Sequence, residues 1–295
     1  MNISFEYYRI FYYVAKYENI TKAAMVLKSS QPNVTRIIHL LEDQLDCRLF
    51  LREPRGLKLT EEGKRLYDHV AIACQHLLDA EAELCWNKNI CSGTIELGVT
   101  ETALHLFLLK HLHGFQQKYS DIKIRIQNNT TPGILKALLN GRLDLAIVTT
   151  PFELNETFAC EDLMTFREVP AGGSEYRALA GHPMSLKEFR FHSIIGLGYG
   201  TASYEYYRKV FMEQKLDYEP AMEVATADLV IPLLQNNLGV GFIPEPLAAP
   251  FFEDQSLVPL SLNVPLPSRD VKMLWDKSLS QSRAAATFCD YLRSL

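Results

Sequence analysis

The chain has no apolar run approaching the roughly 20 residues that a bilayer-spanning helix needs, so no membrane partner is expected. Its opening residues, M-N-I-S-F-E-Y-Y-R, lack the charged, apolar and small-residue order of a signal peptide, and a cytoplasmic location is the expectation. Cysteine is scarce and scattered: Cys47, Cys74, Cys85, Cys91, Cys160 and Cys289 include no C-x-x-C pair, in a chain too long to need disulfide staples. Buried free thiols are the plain expectation, and a redox switch is the alternative. Signatures of catalysis are missing too. There is no G-x-S-x-G and no H-E-x-x-H, and Gly196-x-Gly198-x-Gly200 lacks the spacing of a dinucleotide fingerprint. His105, His111 and His113 share one stretch without the i, i+4 spacing or the Cys or Glu that would complete a metal set. No metal, no cofactor and no enzymatic activity are expected.

What is present begins with an asymmetry of charge. The whole chain of 295 residues carries a formal net charge of -5, yet residues 1–65 hold eleven Lys and Arg against eight Asp and Glu. The local excess is basic, which suits a polyanionic partner for the first part of the chain only.

Within that part, Phe5, Ile10, Phe11, Val14 and Ala15 recur at helical spacing. Asn19 to Thr21 supplies capping side chains for a short second helix carrying Ala23, Ala24 and Leu27, and Lys28-Ser29-Ser30 forms a turn. Pro32 then sits in the first turn of a third helix, where its missing N–H is harmless. Val34, Ile37, Ile38, Leu41 and Leu45 of that helix face inward, which leaves Gln31, Asn33, Thr35, Arg36 and His39 outside. Gln31 suits adenine, Arg36 guanine or a phosphate, and Thr35 a thymine methyl or a backbone oxygen. Glu42 and Asp43 repel phosphates, so only the first turns are expected in a major groove. Leu49–Leu51 and Leu57–Leu59 read as two strands joined by a breaker-rich turn, a wing carrying Arg52 and Arg55. The pattern is a winged helix-turn-helix that reads double-stranded DNA.

Thr60 caps a following helix, with Glu61 and Glu62 on its favourable first turn. Leu66, Val70, Ala73, Leu77, Ala80 and Leu84 make a heptad seam that a small winged domain is not expected to bury, so this helix should pair two chains. Beyond it come strand Ile95–Val99, helix Leu104–Phe115, strand Ile122–Ile126, helix Ile134–Asn140 and strand Leu143–Val148. A second series follows: Ser193–Leu197, a helix around Tyr204–Gln214, Glu223–Val224, a helix at Asp228–Asn236, and Val240–Ile243. Two α/β lobes with parallel strands, meeting over a cleft at the strand ends, are implied. Thr100, Thr102, Thr130, Thr131, Thr149 and Thr150 from one lobe, with Thr201 and Thr226 from the other, lie in the turns that would face it. Hydroxyls and free N–H groups there suit a small anion.

The chain as a whole resembles the LysR-type transcriptional regulators. The matching residues are Phe11-x-x-Val14-Ala15, Ala23-Ala24-x-x-Leu27, Ser30-Gln31-Pro32-x-Val34-Thr35-Arg36-x-Ile38, Leu41-Glu42, Leu49-Phe50-x-Arg52 and Leu59-Thr60-x-x-Gly63. Further on, Gly141-x-Leu143-Asp144-Leu145-Ala146, Thr226-x-Asp228-Leu229 and Leu238-Gly239-Val240-Gly241-x-x-Pro244-Glu245 match as well. Asp46 departs from the glycine usual at the end of the recognition helix. The resemblance implies a DNA-binding domain over 1–59, a linker and dimerisation helix over 60–89, and a periplasmic-binding-protein-like effector domain over 90–295. Its lobe I would take about 90–163 and 268–295, and lobe II about 164–267. It further implies a homodimer or homotetramer on an interrupted inverted repeat at a promoter, with RNA polymerase as a possible partner. DNA contacts fall to Ser30, Gln31, Pro32, Asn33, Thr35, Arg36, Arg52 and Arg55, and effector contacts to Thr100, Thr102, Thr131, Thr201 and Thr226. A redox-sensing regulator of the same fold, or a solute-binding or enzyme-like α/β protein, remains the alternative.

Overall fold

The computed structural model describes residues 3–53, 56–85, 93–279 and 281–295. It divides into two compact units, Met1–Lys88 and Asn89–Leu295.

In the first unit, α1 (Phe5–Tyr17), α2 (Ile20–Val26) and α3 (Gln31–Leu45) surround a core of Ile10, Phe11, Val14, Ala23, Val34, Ile38 and Leu41. Phe5, expected on the inner face, is exposed. The Asn19 side chain accepts from the Lys22 N–H at 2.9 Å and starts α2, and the Ser30 hydroxyl accepts from the Asn33 N–H at 3.4 Å and starts α3. Helix α3 ends at Asp46, which adopts the left-handed region (φ 52°), while the Cys47 N–H reaches back to the Glu42 carbonyl. A glycine would take that conformation without steric cost; Asp is among the few other residues that tolerate it. Strands β1 (Phe50–Glu53) and β2 (Gly56–Leu59) pair antiparallel with Phe50 opposite Leu59.

Helix α4 (Glu61–Cys85) leaves this hairpin through Thr60, whose hydroxyl donates to the Arg48 carbonyl at 2.7 Å and accepts from the Gly63 N–H at 2.9 Å. A β-carbon on Gly63 would lie 2.2 Å from the Leu49 carbonyl oxygen, so the helix can approach the wing strand this closely only with glycine there. The 25 residues of α4 span about 37 Å. Its amino-terminal part is not a free seam. Leu66, Tyr67, Val70 and Cys74 pack on the core of their own unit, and Val70 is buried, because the spacing that lines up a heptad also lines up one face against α1. Ala73, Leu77 and Leu78 are exposed. The side chains of Ala80 and Leu84 lie outside the described residues.

Glu42 corrects the sequence reading most sharply. It is not on the outer face of α3 but buried, 4% exposed, with its carboxylate accepting from the Leu49 N–H at 2.8 Å, the Phe50 N–H at 3.2 Å and the Arg48 guanidinium at 2.8 Å. Burial by itself would raise its pKa, but these three donors outweigh it and hold the carboxyl below the ordinary range. Of the two acids, only Asp43 remains exposed to oppose a phosphate.

The second unit holds two five-stranded mixed sheets. The first has the order β4-β3-β5-β12-β6 and the second β11-β7-β10-β8-β9. In chain order, β3 (Gly93–Val99) leads into α5 (Glu101–Ala103), a π-helical turn (Leu104–Leu108) and α6 (Leu109–Lys118), then β4 (Ile122–Asn128), α7 (Thr131–Leu139) and β5 (Leu145–Thr149). These three strands are parallel, as the strand and helix rhythm requires. Strand β6 (Phe158–Phe166) ends the first pass, and Arg167 alone separates it from β7 (Glu168–Gly172) of the second sheet. There follow α8 (Leu186–Phe189), β8 (Ile194–Leu197), α9 (Ala202–Glu213), β9 (Met222–Val224), α10 (Val230–Gln235), β10 (Val240–Pro244), α11 (Glu245–Glu253) and β11 (Val258–Pro259). The chain then returns to the first sheet through β12 (Arg269–Asp276) and closes with α12 (Arg283–Arg293). Strands β6, β7, β11 and β12 run antiparallel to a neighbour, outside the all-parallel expectation. Among the described residues, no helix is long and apolar enough to cross a membrane.

Because Glu42 satisfies two wing N–H groups, Glu42→Ala should destabilise the first unit by about 2–4 kcal/mol, the cost of leaving buried donors unpaired, and Glu42→Gln by less. The lowered folded pKa means that the carboxylate's contribution is present above the unfolded value of about 4.3 and is lost as pH falls through the folded value. Urea titrations between pH 3 and 7 should therefore show a steeper acid loss in wild type than in Glu42→Gln; parallel curves would contradict this role.

Candidate functional site

Two sites emerge, one in each unit. In the first, Gln31, Pro32, Thr35, Arg36, His39, Leu40 and Asp43 line a shallow concavity on the exposed side of α3. Arg36 is exposed and its guanidinium donates to the Asn33 side-chain oxygen at 3.1 Å, which orients it along the helix. The Asn33 amide in turn donates to the Ser29 hydroxyl at 3.1 Å. Asn33 and Ser30 therefore shape the turn and the helix start, and Gln31, Thr35 and Arg36 form the outward edge. The Thr35 hydroxyl donates to the Gln31 carbonyl at 3.0 Å and keeps its acceptor side available. Arg52 belongs to β1, but its side chain, like the whole of Arg55, lies outside the described residues.

In the second unit, a cavity of about 310 Å³ lies between the two sheets. Thr100, Thr102, Thr131, Thr201 and Thr226 all line it, together with Glu101, Asn128, Asn129, Thr130, Thr149 and Ser203. The five threonines come from four separate turns, so their meeting is a tertiary result. Their hydroxyls are not equivalent. Thr201 caps α9, accepting from the Tyr204 N–H at 3.1 Å and donating to the Gly198 carbonyl at 3.0 Å. Thr131 is buried and donates to the Thr149 carbonyl at 3.4 Å. Thr100 and Thr226 stand at helix starts without a side-chain capping bond, and the buried Thr100 hydroxyl has no partner. Ordinary capping thus accounts for Thr201 and not for Thr100. Glu101 is the charged side chain of this lining, and it accepts from Asn128 at 2.6 Å and pairs with His105 at 2.8 Å.

Bonded to Thr149 and Ser203 of this lining is a group for which the sequence carries no local signal. Arg269, 1% exposed, donates to the Thr150 carbonyl at 2.7 Å, the Thr149 hydroxyl at 3.2 Å, the Ser203 hydroxyl at 3.1 Å and the Glu168 carboxylate at 2.5 Å. Its guanidinium also lies 5.0 Å from the Tyr206 ring centre and 5.5 Å from that of Phe166. Glu168 opens β7 and Arg269 opens β12, so the pair stands where the chain has just crossed between sheets in either direction. Burial pushes the Glu168 carboxyl above the ordinary carboxylate range, and Arg269 offsets part of the rise. Burial also raises the Cys74, Cys160 and Cys289 thiols above the ordinary thiol range. Among the described residues, no group of three or more His, Cys, Asp or Glu is placed to hold a metal ion.

Comparison with known proteins bears on both units. Residues 5–64 match the model of the bacterial regulatory helix-turn-helix proteins of the lysR family, and residues 91–295 match that of the LysR substrate binding domain. The HTH-type transcriptional regulator YofA of Bacillus subtilis is 24% identical over 237 residues, covering 80% of each chain. The RuBisCO operon transcriptional regulator of Allochromatium vinosum is 22% identical over 294 residues, covering 100% of this chain and 97% of its own. Among solved structures, the probable transcriptional regulator PA0477 of Pseudomonas aeruginosa shares the fold with a TM-score of 0.70 at 19% identity, over 99% of this chain and 97% of that one.

Removing one partner of the buried pair should be costly. Arg269→Ala is expected to destabilise the second unit by about 3–5 kcal/mol, as an unpaired buried carboxylate remains, whereas the double change Arg269→Met with Glu168→Leu should recover most of the loss. In Arg269→Met alone the folded carboxyl holds its proton above the unfolded value of about 4.3, so its stability should decline as pH rises from there towards the raised folded value. Denaturant midpoints at pH 5 and pH 8 check both statements; a single mutant as stable as the double would contradict them.

Proposed function

Since the chain belongs to the LysR family of helix-turn-helix transcriptional regulators, and is itself a DNA-binding regulator with a substrate-binding domain, we propose which of its residues read DNA and which take the effector. On the first unit, Gln31, Thr35 and Arg36 contact bases or phosphates from the start of α3, Ser30, Pro32 and Asn33 hold that edge in place, and Arg52 and Arg55 of the wing meet the flanking backbone. The exposed Ala73 and Leu77 of α4, with Ala80 and Leu84 of the same heptad pattern in sequence, pair two copies, while Leu66 and Val70 serve their own domain. The DNA site is an interrupted inverted repeat at a promoter, matched to the paired reading heads, and RNA polymerase is a candidate partner there.

The effector is a small organic or inorganic anion held in the threonine cleft. The observation that carries this reading is the buried Thr100 hydroxyl, which has no partner of its own and lines a cavity that six other threonines from both lobes share. No Lys or Arg is among the lining residues, so an anion would rest on hydroxyls and on N–H groups at the starts of α5, α7 and α9. A ligand spanning both sheets favours whichever lobe arrangement brings its contacts together. It shifts the equilibrium only by binding the two arrangements differently, and it transmits that bias to the DNA-reading heads.

Arg36→Ala should lose promoter binding in a gel shift by about tenfold or more, in line with the discrimination of one good base contact, with the oligomer unchanged by sedimentation. Undiminished binding would rule out this edge of α3. For the cleft, melting shifts with a panel of sulfate, acetate, malonate and similar anions should identify binders. Thr226→Val should weaken the best of them by several-fold, as loss of a hydrogen-bonding group predicts, and leave basal DNA binding intact; an unaltered dose curve would remove the cleft from the effector site.

A further inference from the structure

Beside the threonine cleft lies a second chamber of about 370 Å³ with a different character. Its apolar walls are Val230, Ile231 and Pro232 of α10, Phe242 of β10, and Leu247 and Phe251 of α11, with His105, Asp228 and Gln235 as polar members of the lining. The two chambers share Glu101, Thr102, Leu197, Ser203 and Ala227 as a common wall. An apolar chamber of this size holds a small organic group, provided that the few polar atoms on its surface find partners. One does not. Glu168 gives one carboxylate oxygen, Oε1, to Arg269, while Oε2 is buried at the chamber without a hydrogen-bond partner. The neighbouring Tyr207 hydroxyl, held protonated by burial and by the Glu168 charge, lies close enough to this carboxylate to favour its charged form, yet outside hydrogen-bond geometry to Oε2.

We propose that this chamber is a second ligand subsite, which takes a compact apolar group bearing a neutral hydrogen-bond donor, such as a phenol or an alcohol, with the donor directed at Glu168 Oε2. The proposal rests on the cleft being the effector site and extends it: the effector, or a second molecule beside it, has an apolar body as well as a polar end. A neutral donor fits better than an ammonium group. Glu101 and Asp228 also line the chamber, but an ammonium group directed at Oε2 would lie against the Arg269 guanidinium that already pairs with this carboxylate, at a cost in like-charge repulsion. A hydroxyl satisfies the open oxygen without that cost. Arg269 also donates to Ser203, whose residue lines both chambers, so a donor on Glu168 acts on the group that ties the two sheets.

Phenol and anisole separate this chemistry, because methylation removes the donor and keeps the ring. The full chain labelled at isoleucine methyls should shift its Ile231 resonance on titration with phenol, and anisole should bind about fivefold more weakly or worse, for want of a bond to a charged acceptor. Ile231→Trp, which fills the chamber from a half-buried position, should weaken phenol about tenfold and leave sulfate binding at the threonine cleft in place. Thr226→Val, which lines only the threonine cleft, should do the reverse. Anisole binding as tightly as phenol, or phenol affinity unmoved by Ile231→Trp, would overturn the proposal. Should the tryptophan variant fail to fold, the Ile231 methyl shift and the phenol to anisole ratio in the wild-type chain still decide it. Failure of the anion panel together with preserved phenol binding would instead count against the threonine cleft alone.

Discussion

The effector unit depends on one buried ion pair. Glu168 and Arg269 are each the first residue of a strand reached by crossing from one sheet to the other, and Arg269 bonds Thr149 and Ser203 of the cleft lining. Arg269 is bound at four points, two at the end of β5, one on β7 and one on α9, so a planar donor group with a fixed fork serves as the joint between lobes. Such a pair adds little net stability over an apolar substitute, since desolvation of both charges offsets their attraction. What it adds is directional: a well-packed apolar contact would tolerate sliding, whereas four oriented hydrogen bonds define how the sheets meet. The chain crosses between the sheets at Arg167 and again in the stretch before Arg269, on either side of this joint.

The reading head uses the same device on a smaller scale. Glu42 is a buried acid whose partners are two backbone N–H groups at the start of the wing and one exposed arginine. It couples the middle of the recognition helix to the hairpin, and Gly63 lets α4 press on the same hairpin from its other side. The outward edge of α3 and the wing are thereby held as one body, which matters for a surface that must meet a groove and its flanking phosphates together. The residues proposed to face DNA gain their positions from groups on the inner side of the unit.

Much of this was legible in the chain itself, for reasons that differ by element. The helices of the first unit are marked by caps at Asn19, Ser30 and Thr60 and by apolar residues at helical spacing, signals that act within a few residues. The parallel strands β3, β5, β8 and β10 are short, largely apolar runs between breakers, and β4 alternates apolar with polar residues. Strands β6 and β12 have no such mark: F-A-C-E-D-L-M-T-F and R-D-V-K-M-L-W-D mix charges into their faces, and they are strands because each completes the sheet that the other needs. The threonines were legible as turn residues that converge. Which of them is spent on capping, as Thr201 is, and which is left open, as Thr100 is, depends on helix starts placed to within one residue, and a local pattern does not resolve that.

The sequence by itself determined the class of molecule, the order of its domains and the edge of α3 that faces outward, because capping, periodicity and turn chemistry are short-range. Tertiary structure alone decided the fate of the charges. Glu42 reads as an exposed helical acid until Leu49 and Phe50 come to it, and Glu168 and Arg269 stand 101 residues apart with nothing in either neighbourhood to announce the other. Burying a charge is unfavourable unless its partners arrive from elsewhere in the fold, so its place is known only when the whole chain has closed around it.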